Sequence, residues 1–220
     1  SMSSAQPSMD QRVITAIETQ KQRRNRCSIF IDGEFALGVE ADVVGDLRLH
    51  VGQRVSDADL ERISRADLVV RAKRKALNLL EYRHRSRAEI VGRLRQGGFD
   101  DDVVGQVVTF LERLGLLNDE EFARNWVRYR QSGKACGRAR IRWELRRKGV
   151  SNDIIERSLS EISGETEYAL AMDVARRRWE KCSVADSRLK RQRVASYLRR
   201  QGFDWEVVSE VLDKLASEDD

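Results

Sequence analysis

Arg93-Leu-Arg-Gln-Gly-Gly-Phe99, Glu144-Leu-Arg-Arg-Lys-Gly-Val150 and Tyr197-Leu-Arg-Arg-Gln-Gly-Phe203 are three versions of one pattern. Their glycines, Gly98, Gly149 and Gly202, are offset by 51 and 53 residues. Four residues before each glycine stands a leucine: Leu94, Leu145 and Leu198. Four earlier again comes another apolar residue: Ile90, Ile141 and Val194. Apolar side chains at i and i+4 share one face of a helix. A glycine after such a run supplies the positive φ with which helices commonly stop. The pattern therefore predicts three helices that end alike.

On the C-terminal side each glycine is followed by an apolar residue and a cap: Phe99-Asp100, Val150-Ser151 and Phe203-Asp204. Asp or Ser there accepts a free backbone N–H of a new helix, and the acidic residues just beyond suit the helix dipole. The helix that follows carries an apolar stripe in every copy: Val103, Val104, Val107, Val108 and Leu111, then Ile154, Ile155, Leu159 and Ile162, then Val207, Val208, Val211, Leu212 and Leu215. On the N-terminal side each copy has a further helix, near Lys73–Tyr82, Glu120–Arg130 and Thr166–Trp179. The expected fold is mainly α, an elongated array of three tandem three-helix repeats behind a small β-rich unit. The expected divisions are a disordered, cloning-derived head at 1–10, a β-rich unit at 11–55, a connecting helix at 56–70, and repeats at 71–118, 119–163 and 164–220.

Composition agrees. Apolar residues are 40% and charged residues 35% of 220, a thin-packing balance rather than that of a deep core. The single proline, Pro7, lies in the head, so more than 200 residues run without a helix breaker. No run of 18 apolar residues exists, which argues against a membrane span. Cys27, Cys136 and Cys182 are odd in number and widely spaced, as reduced thiols in the cytoplasm would be.

Charge follows the repeat. Residues 71–98, 123–149 and 176–202 carry net +7, +9 and +8, while 99–122, 150–175 and 203–220 carry −6, −5 and −6. Each repeat thus pairs basic helices with an acidic one. Intramolecular pairing is the plain reading of that alternation. Segregated signs also create long single-sign fields that steer a charged partner. Arg87, Arg138 and Arg191 share one repeat position, and Arg95, Arg146 and Arg199 another, eight residues on and so on the same face. In the middle copy Arg142 completes a ladder with Arg138 and Arg146, flanked by Arg140 and Arg147. Arg128, Arg130 and the loop residue Lys134 precede it. These twelve cations are the candidate contact residues, since arginine forks match phosphate and carboxylate. A solvated helix face is the competing reading for any one of them.

The head reads as strands. Val13–Ile17 is β-prone, and Arg26–Asp32, Gly33 and Glu34–Val39 form a hairpin signal with an Asp-Gly turn. Leu47–Leu49 and Gln53–Val55 are expected to add a strand around Gly52, and Ser56–Asp59 opens a helix as a capping box. Lys21–Arg26 reads as a basic hairpin tip or loop, a solvated turn first and a phosphate contact as the alternative.

Catalytic signatures are missing. His50 and His84 lie in different segments, and no Cys/His metal spacing, phosphate-binding loop, nucleophile elbow or dinucleotide fingerprint occurs. Asp100–Asp102 is a helix start, matched by Ser151-Asn-Asp and Asp204-Trp-Glu in the other copies. Cys136, amid Lys134, Arg138 and Arg140, reads as loop packing rather than as an activated thiolate. Trp126, Trp143, Trp179 and Trp205 read as core. The expectation is no enzyme, no cofactor and no metal.

These residues resemble the RecX family of RecA regulators. The resemblance is carried by Ser86-Arg-Ala-Glu-Ile90 leading to Gly98-Phe99-Asp100, by Leu114-Gly-Leu-Leu-Asn-Asp-Glu-Glu-Phe-Ala123, by Gly137–Gly149 and by Leu198–Phe203, and it covers about residues 72–216. It implies a cytoplasmic monomer that lies in the groove of the RecA–single-stranded-DNA filament. There it would restrain ATP turnover, strand exchange, recombination, DNA repair and the SOS response. The implied partners are the RecA filament, single-stranded DNA and, as a second form, double-stranded DNA, with no membrane. Two other readings stay open: a sequence-independent DNA-binding protein whose basic helices track phosphates, and a solenoid scaffold for an unrelated protein.

Overall fold

In the computed structural model, residues 11–219 are described, and the expected disordered head at 1–10 lies outside them. Strands β1 (Arg12–Thr19), β2 (Arg26–Ile31) and β3 (Glu34–Glu40) are followed by helix α1 (Ala41–Asp46), the short β4 (Arg54–Val55) and the long helix α2 (Asp57–Tyr82). Then come α3 (Arg87–Gln96) and α4 (Asp101–Arg113), α5 (Asp119–Ser132), α6 (Arg138–Arg147) and α7 (Asn152–Ser160), and α8 (Gly164–Lys181), α9 (Ser187–Arg200) and α10 (Trp205–Asp219). The described residues divide into two compact units, one of residues up to 83 with 91–113, the other of 84–90 with 114 onward.

In the first unit the sheet is antiparallel in the order β3-β2-β1-β4. Asp32 and Gly33 join β2 to β3 with φ of 50° and 85°, the two positive values that a tight hairpin twisting with its strands requires. Ile14, Ile29, Ile31, Val39 and Val55 bury one face of the sheet against Val43 of α1 and Ile63 of α2. A buried ionic cluster ties the strands to α2. Asp67 accepts from the Glu40 backbone N–H at 2.7 Å, and Arg26 and Arg74 pair with Glu40 at 3.2 and 2.7 Å. Arg26 therefore belongs to the interior of the head, not to its solvated turn.

Two expectations change here. The chain at Leu47–Leu49 is a turn that closes α1 rather than a strand. The connecting helix and the first repeat helix are one helix of 26 residues. Nothing between Val69 and Lys73 can end a helix, since no glycine, proline or capping residue stands there. The Ser56–Asp59 capping box that opens α2 is formed in full. Across α2, Arg65 grips Asp100 at 2.7 and 2.9 Å and Asp102 at 2.6 Å, while Asp100 caps α4 by accepting from the Val103 N–H at 3.0 Å. Asp100 and Asp102 are thus satisfied by one guanidinium and a helix start.

The repeat ends are alike in atomic detail. The N–H groups of Phe99, Val150 and Phe203 reach back to the carbonyls of Leu94, Leu145 and Leu198 at 3.2, 3.1 and 3.2 Å. Those of Gly98, Gly149 and Gly202 bond Arg95, Arg146 and Arg199, each at 2.9 Å. That is the Schellman pair, made at φ of 86°, 75° and 87°. Leu94, Leu145, Leu198, Ile90, Ile141 and Val194 are all fully buried. The second repeat closes around Phe122, Ile141, Leu145, Ile155 and Leu159, and the third around Ala171, Trp179, Leu198, Phe203 and Leu212.

Candidate functional site

The i, i+4, i+8 spacing places Arg138, Arg142 and Arg146 along α6, and each is held by a partner within the chain. Arg138 lies 3.2 Å from Glu167 of α8 and also donates to the Ile162 carbonyl. Glu167 is only 3% exposed, and Arg138 Nε and Glu167 Oε1 are buried without a partner. Arg142 holds Glu156 of α7 with two hydrogen bonds of 2.6 and 3.1 Å, which raise the arginine pKa and hold the carboxyl below its ordinary range. Arg146 donates to the Asn152 side chain at 3.1 Å. Arg95 and Arg191, in the outer copies, pair with Asp101 and Asp213 at 2.8 and 2.6 Å. Arg87 is exposed on α3, and its backbone N–H donates to Asp119 at 2.8 Å.

Arg130 turns inward to Glu144, which also accepts from the Trp126 indole at 2.9 Å and from Arg140 at 3.3 Å. Burial alone would push the Glu144 carboxyl up, but the donors around it prevail and hold it below the usual range. Cys136 sits behind this cluster, and its burial raises the thiol pKa, so the thiolate is disfavoured. Arg147 lies over the Trp143 ring at 4.8 Å. Arg128, Lys134 and Arg199 face solvent. The ladder is thus largely a set of internal links, and solvent-facing charge gathers elsewhere.

The place is set by a joint that occurs twice in the second unit. At its second occurrence the end of α9 docks on the start of α6. Gly137 and Ala139 N–H groups donate to the carbonyls of Gln201 and Gly202 at 2.9 and 3.1 Å. A Cβ on Gly137 would overlap the Gly202 carbonyl, and one on Gly202 would overlap the Arg140 backbone. At its first occurrence the end of α6 docks on the segment that opens α3. Ser86 Oγ donates to the Lys148 carbonyl at 2.5 Å, and a Cβ on Gly149 would overlap Ala88. The repeat positions correspond, and carbonyls at one helix end meet donors at the helix start of the preceding repeat, an arrangement favoured by the helix dipoles.

Beside the second joint lies a cleft of about 510 Å³. Arg130, Lys134 and Arg140 line one wall and Arg177, Arg178 and Lys181 of α8 the other, with Tyr197 and Gln201 beneath. A second groove, of about 680 Å³, runs along α9 past Arg188, Arg191, Arg199 and Arg200 to Trp205. Trp143 and Trp205 are 54% and 55% exposed, contrary to their expected place in the core, whereas Trp179 is buried and donates to Asp219 at 2.7 Å. The exposure of Trp205 has a reason in the repeat. Asp101 and Asn152 stand at its position in the other copies, accepting from Arg95 and Arg146. In the third copy an indole, which can only donate, takes the acceptor's place, so Arg199 gains no carboxylate or amide there.

Sequence reasoning missed Arg177, Arg178, Lys181, Arg188, Arg200 and Trp205. The signals were available. Arg177 and Lys181 stand at i, i+4, and Trp205 breaks a polar position of the repeat. No group of His, Cys, Asp or Glu side chains able to hold a metal occurs among the described residues, and none of their helices is long and apolar enough to cross a membrane.

A small antiparallel sheet leading into three like-ended three-helix repeats defines a helical-repeat protein with lysine- and arginine-lined recesses. Models of the RecX protein match along the chain: the N-terminal domain of regulatory protein RecX at 12–56, and the first, second and third three-helix domains at 72–111, 118–159 and 165–212. The chain belongs to the RecX family of regulatory proteins. It is 30% identical to the regulatory protein RecX of Clostridioides difficile (strain 630) over 94% of this chain and 98% of that one. It is 32% identical to that of Bacillus subtilis (strain 168), over 94% and 78%. A crystal structure of regulatory protein RecX superposes with a TM-score of 0.77 at 27% identity, over 92% of this chain and 99% of that one. The crystal structure of RecX from Lactobacillus salivarius shares the fold, with a TM-score of 0.65 at 24% identity over 69% and 98%.

Proposed function

We propose that this chain is a non-catalytic inhibitor of RecA that acts in the cytoplasm. It binds the RecA–single-stranded-DNA filament through the solvent-facing cations of its middle and third repeats. The observation that carries this reading is the match to regulatory RecX proteins along nearly the whole chain, head and all three repeats included. The repeat divisions at 71–118, 119–163 and 164–220 are the units in which it meets the filament. A ligand with no ATPase of its own stalls a filament by binding one protomer arrangement more tightly than another.

The test is RecA ATP turnover on single-stranded DNA with the protein titrated in. Inhibition is expected well below one molecule per nucleotide. Among the candidate residues, Arg142, Arg146 and Arg199 are separable from the fold, because Glu156 and Asn152, the partners of the first two, lie at the surface and Arg199 faces solvent, whereas Arg138 anchors a buried carboxylate. Arg142→Ala/Arg146→Ala/Arg199→Ala is expected to raise the inhibitory concentration at least fivefold with an unchanged thermal melt. Arg87→Ala/Arg95→Ala should raise it less. Undiminished inhibition by the folded triple variant would remove these residues from the contact.

A second reading, sequence-independent DNA binding, is favoured by one observation. Trp205 lies exposed beside Arg188, Arg199 and Arg200, which suits a base stacked on an indole with its phosphates on arginine. Strong DNA binding without any effect on RecA turnover would select it.

A further inference from the structure

The two joints of the second unit use the same repeat positions and differ in charge. At the first, Lys148 pairs with Glu89 at 3.5 Å and lies over the Trp126 ring at 4.4 Å. The repeat equivalents at the second joint are Gln201 and Arg140, joined at 3.1 Å. A carboxylate–ammonium pair has become a guanidinium–amide pair. The carboxylate is gone and a cation stands in its place.

The other walls add to the excess instead of cancelling it. Arg178 stacks on Tyr197 at 4.9 Å, and Arg177 meets Asp173 at 2.8 Å. Among the described residues no carboxylate pairs with Lys134, Arg178 or Lys181, and Glu144 alone serves both Arg130 and Arg140. Six cations therefore face two carboxylates around about 510 Å³. Surface pairs of this kind add little stability, so the fold does not need the crowding. Like charges held this close repel, and a polyvalent anion relieves them.

We propose that this cleft binds an oligophosphate chain, that is, two or more directly linked phosphoryl groups. Its volume of about 510 Å³ falls within the range of small-ligand sites. A phosphodiester strand brings one charge per residue into such a space. A triphosphate brings about four at neutral pH, close to the excess of cations, and its oxygens suit guanidinium forks. The ligand is bound and not hydrolysed, because the walls offer no free carboxylate to carry a metal or to act as a base. The site does not depend on the RecA reading.

Two sources supply this chemistry: a nucleoside triphosphate and an inorganic polyphosphate. The full chain would be titrated calorimetrically with sodium tripolyphosphate, with ATP and with the oligonucleotide (dT)4, in about 0.15 M salt without magnesium. Tripolyphosphate is expected to saturate one site per chain. Arg178→Ala/Lys181→Ala should weaken it tenfold or more, and Arg23→Ala/Arg24→Ala, which removes equal charge from the exposed β1–β2 turn, less than twofold. Should loss of the Arg178 stack on Tyr197 unfold the first variant, Lys134→Ala/Lys181→Ala is expected to give the same loss of binding. ATP binding more tightly than tripolyphosphate identifies the nucleotide as the source, and equal or weaker binding the inorganic chain. Absence of saturation, equal weakening by the cleft and turn variants, or (dT)4 binding as tightly as tripolyphosphate would overturn the proposal.

Discussion

Gly98, Gly149 and Gly202 have the same φ sign and the same capping bonds, yet their surroundings differ. Nothing lies within 4 Å of a Cβ placed on Gly98, whereas on Gly149 it would overlap Ala88 and on Gly202 the Arg140 backbone. Gly98→Ala should therefore cost only the left-handed backbone penalty, about 1–2 kcal/mol. Gly202→Ala adds an overlap with backbone that cannot swing aside, for a total of about 3–5 kcal/mol. Urea unfolding of the two variants checks this, and equal midpoints would mean that the joint between α9 and α6 is not rigid. The shared need for positive φ was legible from the leucine-to-glycine spacing. The second demand, room for another helix, was invisible, because it depends on which backbone lies opposite.

Helix α6 shows what element-level reading achieves and misses. Its buried face, Ile141 and Leu145, follows from i, i+4 spacing, as does the alignment of Arg138, Arg142 and Arg146. The spacing is silent about partners. Arg138 spans from α6 to the buried Glu167 of α8, so it couples two repeats. Arg138→Ala would strand that carboxylate. Since the arginine itself is about a third exposed, the expected loss is about 2–4 kcal/mol, below the range for a fully buried pair. Arg138→Ala/Glu167→Gln should recover more than half of it, because an amide carries no charge to strand. Thermal melts of the two variants decide. A single variant within 0.5 kcal/mol of wild type would show that Glu167 finds water instead.

Over the whole molecule, net charge of +5 conceals basic blocks of +7 to +9. Much of that basic charge is already spent on Glu144, Glu156, Glu167 and Asp213. Fewer phosphates should therefore be neutralised than the blocks suggest. Binding to bare single-stranded DNA is expected to be modest, sequence-independent and salt-sensitive, with a log–log slope of about 0.7 per phosphate met. Arg188→Ala/Arg199→Ala/Arg200→Ala should flatten the slope by about 2 if all three meet phosphates. A slope unchanged by this variant would take the Trp205 groove out of DNA binding.

The family came from the resemblance of whole motifs to known proteins. Reading along the chain was enough for the helical repeats, their capping turns, the Asp32-Gly33 hairpin and the alternation of charge. All of these rest on spacing within about ten residues or on comparison of one copy with another, and such relations survive in a linear string. Only the folded chain shows how α2 is used: the absence of a breaker between Val69 and Lys73 lets it run on, and its first half packs on the sheet while Arg65 reaches Asp100 at the cap of α4. The fold likewise settles which arginines are internal and which stand in the cleft, for the partners of Arg130, Arg138, Arg142 and Arg191 lie from 14 to 29 residues away. A charge shows its sign in the sequence. Whether that charge is compensated is a matter of distance in space, and only the folded chain brings Arg140, Arg178 and Lys181 around one recess while leaving Glu89 at the other joint.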